Sequence, residues 1–133
     1  MVYGLVNLFR ILGLTTVAAY ALAILIIENR ALTLEELSRK TGYAKSCVHT
    51  HLRTLVARGL VDSIRRGRRV KYRARIDGIR KLLHDYFESL KKHLSLAAKT
   101  ECEPRTNELL KHVADEVSSM VERIKNVLGE YSE

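Results

Sequence analysis

Residues 32–75 read LTLEELSRKTGYAKSCVHTHLRTLVARGLVDSIRRGRRVKYRAR, and this stretch decides the fold. It opens with Thr33 three positions ahead of Glu36, a T-x-x-E pair in which the hydroxyl caps a helix and the carboxylate reaches back. The spacing predicts a helix over 34–41 that turns Leu34, Leu37 and Ser38 toward a core. Gly42 then stands where a helix C-terminus favours positive φ. Tyr43-Ala44 forms a tight turn. In 45–58, Val48, Leu52 and Leu55 recur along one helical face, and Gly59 stops the helix. Two β-like runs follow, at Leu60–Ile64 and Val70–Tyr72. They are joined through 65–69, with Gly67 at the tip supplying the conformation that a tight hairpin needs.

The charge lies in the same stretch. The chain has 133 residues, with 23 Lys+Arg, 15 Asp+Glu and a formal net charge of +8. Residues 44–75 hold ten basic residues and one acidic residue, whereas 1–43 come to a net +1 and 76–133 to a net −2. Val61–Arg75 alone carries six Arg and one Lys against Asp62. Such crowding costs self-repulsion in the folded state, a cost that a polyanion-binding surface explains better than a solvated hairpin does. Arginine also outnumbers lysine there, and its planar fork suits phosphates and base edges.

To the N-terminal side, residues 2–12 have a helical rhythm. Thr15 or Thr16 then caps a helix running to about Asn29, with Ala18, Ala19, Leu22 and Ile26 toward the core. Ile11–Ile27 is uncharged for 17 residues, the lower edge of a membrane span. Thr15, Thr16 and Tyr20 interrupt it, Gly13-Leu14-Thr15 reads as a turn and cap, and no A-x-A site precedes Glu28. A buried core helix is therefore expected, with no membrane segment and no leader. To the C-terminal side, Ile79, Leu83, Tyr86 and Leu90 mark a helix over 77–98. Lys99–Pro104 breaks it, and Thr106 is expected to cap a last helix over 107–129. There Leu110, Val113, Val117, Met120, Ile124 and Val127 keep a heptad seam. A lone amphipathic helix is not stable in water, so this seam needs cover from the preceding helix or from a second chain.

Four helices, the last two joined by a tight turn, followed by a basic hairpin, give the order of a winged helix-turn-helix. The expected fold is mainly α with a small β-hairpin wing. Residues 1–76 form the helix-turn-helix unit and 77–133 form helices for dimerisation. LGLT at 12–15, LTLEELSRKTGYAKS at 32–46, VHTHLRTL at 48–55, RGLV at 58–61 and VKYRA at 70–74 together resemble the winged-helix domain of archaeal TrmB-type transcription regulators. The set is also similar to small MarR-, GbsR- and ArsR-like proteins. The resemblance covers about 10–75. TrmB sugar sensors carry a large C-terminal effector domain, whereas the 58 residues after the wing here read as helices, so sugar sensing is not carried over. The family also has a Ser-like cap where this chain has Ala44. The second helix therefore begins at Lys45 or Ser46, or is capped less well by roughly 1 kcal/mol.

The resemblance implies double-stranded DNA as partner. It places Lys45, Ser46, His49, Thr50 and Arg53 on the exposed face of a recognition helix, in agreement with the opposite placement of Val48, Leu52 and Leu55. Ser46, His49 and Thr50 reach base edges, and Arg53 suits a guanine or a phosphate. Arg65, Arg66, Arg68 and Arg69 belong on phosphates or in the narrow minor groove, with Lys71 peripheral to them. Regulators of this kind usually dimerise through terminal helices, so a homodimer is expected, held by the seam from Leu110 to Val127.

Other chemistries find little support. Cys47 and His51 could share a helix face, but too few ligands accompany them, and no metal or other cofactor is expected. Cys102 lies among acids that lower thiol reactivity. No nucleophile elbow, phosphate loop or H-E-x-x-H is present, and His84-Asp85 reads as a helix-surface pair, so no enzyme is expected. The sequence thus points to a cytoplasmic, dimeric, sequence-specific DNA-binding regulator. The alternative is an architectural DNA-binding protein without sequence preference. The sequence names no effector.

Overall fold

In the computed structural model, which describes residues 2–99 and 104–130, the uncharged N-terminal run is broken in two. Helix α1 spans Val2–Ile11 and α2 spans Thr16–Glu28. Gly13, at φ 99°, makes the break, while Leu12 and Leu14 on either side are buried. Thr15 caps α2, its Oγ1 accepting from the Ala18 N–H at 3.4 Å. Ala18, Ala19 and every residue of 21–25 are buried. The run is therefore hydrophobic because α2 is surrounded: it packs on α1, and on the two helices and the hairpin that follow. No helix among the described residues is long and apolar enough to cross a membrane. Asn29 ends α2 in the left-handed region at φ 50°, its N–H bonded to the Leu25 carbonyl.

A two-residue strand, β1 (Leu32–Thr33), precedes α3 (Leu34–Thr41). Thr33 caps α3 through a 3.2 Å bond from the Glu36 N–H. The expected return bond of the capping box is replaced, because Glu36 Oε2 accepts instead from Arg30 at 3.1 Å. Gly42 closes α3 at φ 79°. The Ser38 hydroxyl donates to the Tyr43 carbonyl at 2.6 Å, which fixes the turn into the next helix. That helix, α4 (Lys45–Ala57), starts behind Ala44, which gives no side-chain cap bond. Val48, Leu52 and Leu55 are fully buried on its inner face.

Strands β2 (Val61–Arg66) and β3 (Arg69–Ala74) form the hairpin. Arg66 faces Arg69, so only Gly67 and Arg68 turn the chain. Gly67 takes φ 63° and Arg68 stays at negative φ, the signs of a type II′ turn. The sequence reading gave two strands, but the sheet has three, in the order β1-β3-β2, with Leu32 opposite Tyr72. A two-residue strand carries no alternation to detect, so β1 escaped the sequence pattern.

Helix α5 spans Ile76–Ala98 and α6 spans Pro104–Glu130. Two compact units divide the chain, Met1–Ile79 and Arg80–Glu133. The last helix starts earlier than expected. Pro104 takes its first position, where a missing N–H costs nothing, so Thr106 lies inside the first turn instead of capping it. Among the described residues of the second unit, Ala98, Ala114 and Val121 are the buried apolar ones. Of the seam, Leu110, Val113 and Val117 are half-buried and Met120 is exposed. The side chains of Ile124 and Val127, and all of Cys102, lie outside the described residues.

Candidate nucleic-acid interface

The outer face of α4 follows from its inner one. With Val48, Leu52 and Leu55 fixed in the core, Lys45, Ser46, His49, Thr50 and Arg53 are all exposed. The Thr50 hydroxyl donates to the Ser46 carbonyl at 3.0 Å. It therefore offers solvent an acceptor oxygen and a methyl group and has no free donor. The stripe continues further than the sequence reading took it: Thr50, Arg53, Thr54, Ala57 and Arg58 line one shallow groove of about 430 Å³. The spacing from Thr50 to Thr54 was the signal available for that extension.

The wing presents cations from both faces. Directly opposed residues of antiparallel strands share a face. Ile64 and Lys71 thus stand beside the Arg66–Arg69 pair, and Arg65 stands with Val70, Ser63 and Tyr72 on the other side. Arg65, Arg66, Arg68, Arg69 and Lys71 are all exposed. Arg66 opposite Arg69 is a like-charge pair, which destabilises a sheet. Arg65 Nε donates to the Gly67 carbonyl at 3.3 Å, steadying the tip and leaving its terminal nitrogens for a ligand. At the base of the hairpin, Asp62 meets Arg75 at 3.5 Å. The only acid of the basic segment is therefore already engaged, away from the tip.

Helix and wing meet in a second groove of about 490 Å³, lined by His49 of α4, by Arg68, Arg69 and Tyr72 of the wing, and by Thr33 and Glu35 beside them. The sequence reading named His49, Arg68 and Arg69. It missed Glu35, which lies outside the basic segment and enters the groove only through the fold. Glu35 Oε1 is 3.8 Å from Lys45 Nζ, both side chains being well exposed.

The metal reading of Cys47 and His51 gains nothing from the geometry. His51 Nδ1 shares a 3.1 Å hydrogen bond with Thr15 Oγ1, tying α4 to the cap of α2. Cys47 is a half-buried free thiol. Among the described residues no group of three or more His, Cys, Asp or Glu could hold a metal ion. His84 pairs on the helix surface with Asp85 at 3.5 Å and Glu88 at 3.9 Å.

Residues 15–64 match the family described as the IclR helix-turn-helix domain. That span runs from the cap of α2 into β2 and leaves out most of the wing and all of α5 and α6. No curated protein matches the chain. Among solved structures, one described as a transcriptional regulator is 21% identical and aligns over 98% of this chain and 95% of its own, at a TM-score of 0.64. MepR, a transcription regulator of the Staphylococcus aureus multidrug efflux pump MepA, is 15% identical, with 90% and 89% coverage and a TM-score of 0.49. The fold of this chain is a winged helix-turn-helix followed by C-terminal helices.

Proposed function

We propose that this protein is a sequence-specific, double-stranded DNA-binding transcription regulator acting as a homodimer in the cytoplasm. The observation that carries the reading is the shared groove, in which His49 of α4 and Arg68 and Arg69 of the wing line one surface. An exposed polar helix face enters the major groove, and a cationic hairpin beside it reaches the neighbouring backbone or minor groove. Ser46, His49 and Thr50 are the base-reading candidates. The Thr50 acceptor suits the amino group of cytosine or adenine, and its methyl suits that of thymine. Arg53 takes a guanine or a phosphate. Arg65, Arg66, Arg68, Arg69 and Lys71 hold the backbone. The ordered motif set supports kinship with TrmB-like regulators, and no catalytic role is assigned.

Residues 77–133 form the dimerisation region in this reading. Leu96, Leu109 and Met120 are 55%, 62% and 56% exposed, and Leu110, Val113 and Val117 are half-buried. A second copy along the seam from Leu110 through Val113, Val117, Met120 and Ile124 to Val127 would cover these groups. Two-fold symmetry would set the recognition helices about 34 Å apart, one turn of DNA.

The test is fluorescence anisotropy of the purified protein with the duplex upstream of its own gene and with a scrambled duplex, over a salt series. A preference of about 10³-fold or more for the upstream duplex marks a specific factor. With about four phosphate contacts per chain, the log–log salt slope of the dimer should be near −7. Equal binding of both duplexes would favour the architectural reading, and no binding at low salt would remove nucleic acid as the partner.

A further inference from the structure

We propose that Glu35 is a specificity-setting carboxylate that suppresses binding to nonspecific DNA. The inference rests on the DNA-binding reading above. Glu35 stands at the second position of α3 and lines the groove between α4 and the wing. It is the one acid among the described residues lining that groove, which His49, Arg68 and Arg69 also line. A phosphate drawn to those arginines meets the Glu35 charge. In the free protein the same carboxylate lies 3.8 Å from Lys45 Nζ, so it draws the ammonium of the first recognition-helix residue toward itself and away from a backbone contact. Nonspecific binding is almost wholly electrostatic, so it bears the full effect of this charge. A specific site offsets the charge through base contacts that a random duplex lacks.

A carboxylate near a helix N-terminus also stabilises the helix dipole. Glu36, the next residue, separates the two roles. It sits on the same first turn, but its carboxylate is held by Arg30 at 3.1 Å instead of lining the groove. Glu35→Gln and Glu36→Gln therefore make the same change in net charge at the same helix end and differ in what the carboxylate faces.

The experiment is anisotropy binding of wild type and both variants to a random-sequence duplex from low to moderate salt, with thermal unfolding of each. Glu35→Gln should bind roughly three- to tenfold tighter at low salt, and the gain should shrink as salt screens it. Glu36→Gln should bind within about twofold of wild type, a shift that screened charge away from the interface leaves. Equal shifts in the two variants would reduce the effect to net charge and overturn the proposal. So would unchanged binding by Glu35→Gln while wild type binds. Failure of wild type to bind any duplex would instead strike the DNA-binding reading itself.

Discussion

Gly78, on the first turn of α5, lies so close to the backbone of Gly59 that a Cβ at Gly78 would overlap the Gly59 carbonyl oxygen. Gly59 itself needs its positive φ of 75° to leave α4. The hairpin base is fixed nearby, the Arg75 N–H donating to the Leu60 carbonyl at 2.9 Å. The end of α4, the start of the hairpin and the start of α5 thus meet at one backbone contact. Gly78→Ala should lower stability by about 2 kcal/mol or more, since neither backbone can give way cheaply. Gly4, also helical but with open space around its Cα, is the control. Gly4→Ala should be neutral or stabilising by up to about 1 kcal/mol. Denaturant unfolding of both variants checks the pair.

The two helices of the helix-turn-helix differ in their caps, and the difference is measurable. Thr33 caps α3 through its hydroxyl, whereas Ala44 cannot cap α4. Thr33→Ala should cost about 1 kcal/mol, and Ala44→Ser should gain a similar amount. Thermal unfolding of the two variants would show shifts of opposite sign.

Glu28 links α2 to its surroundings. Its hydrogen bond from Lys40 is the main reason the carboxyl lies below its ordinary value of 4.5; desolvation opposes it, and the charges of Lys40 and Arg30 each add a lesser lowering effect. A depressed carboxyl gives stability that is fully present above the unfolded value and is lost as pH falls through the folded one. Wild type should therefore lose this contribution only below about pH 4.5. Lys40→Ala should be less stable than wild type near neutrality and should approach it at acid pH. Unfolding curves from pH 7 to pH 3 test the sign.

Most of the first unit was legible because local signals and global packing agree. Thr15, Thr33 and Gly42 cap where composition places caps, and Val48, Leu52 and Leu55 occupy one buried face because helical spacing leaves no other arrangement. The wing was legible through Gly67 and the arginine excess. What escaped depends on pairing across the chain. Strand β1 exists because Leu32 finds Tyr72, and Glu36 abandons its box because Arg30 reaches it. The place of Glu35 in the groove is set by the fold. The seam of α6 was legible as a periodicity. Its burial differs, with Ala114 and Val121 deeper than Met120, because period alone does not say which flank of an apolar stripe is covered.

The central claim is that α4 reads bases while the wing holds the backbone, and the measurement that tests it most directly is a two-variant, two-duplex anisotropy titration over salt. His49→Ala should weaken binding to the upstream duplex by about 1–3 kcal/mol and leave the scrambled duplex and the salt slope nearly unchanged. Arg69→Ala should weaken both duplexes alike and reduce the slope by about one per site. Equal losses on both duplexes for His49→Ala, or an unchanged slope for Arg69→Ala, would contradict that division of labour.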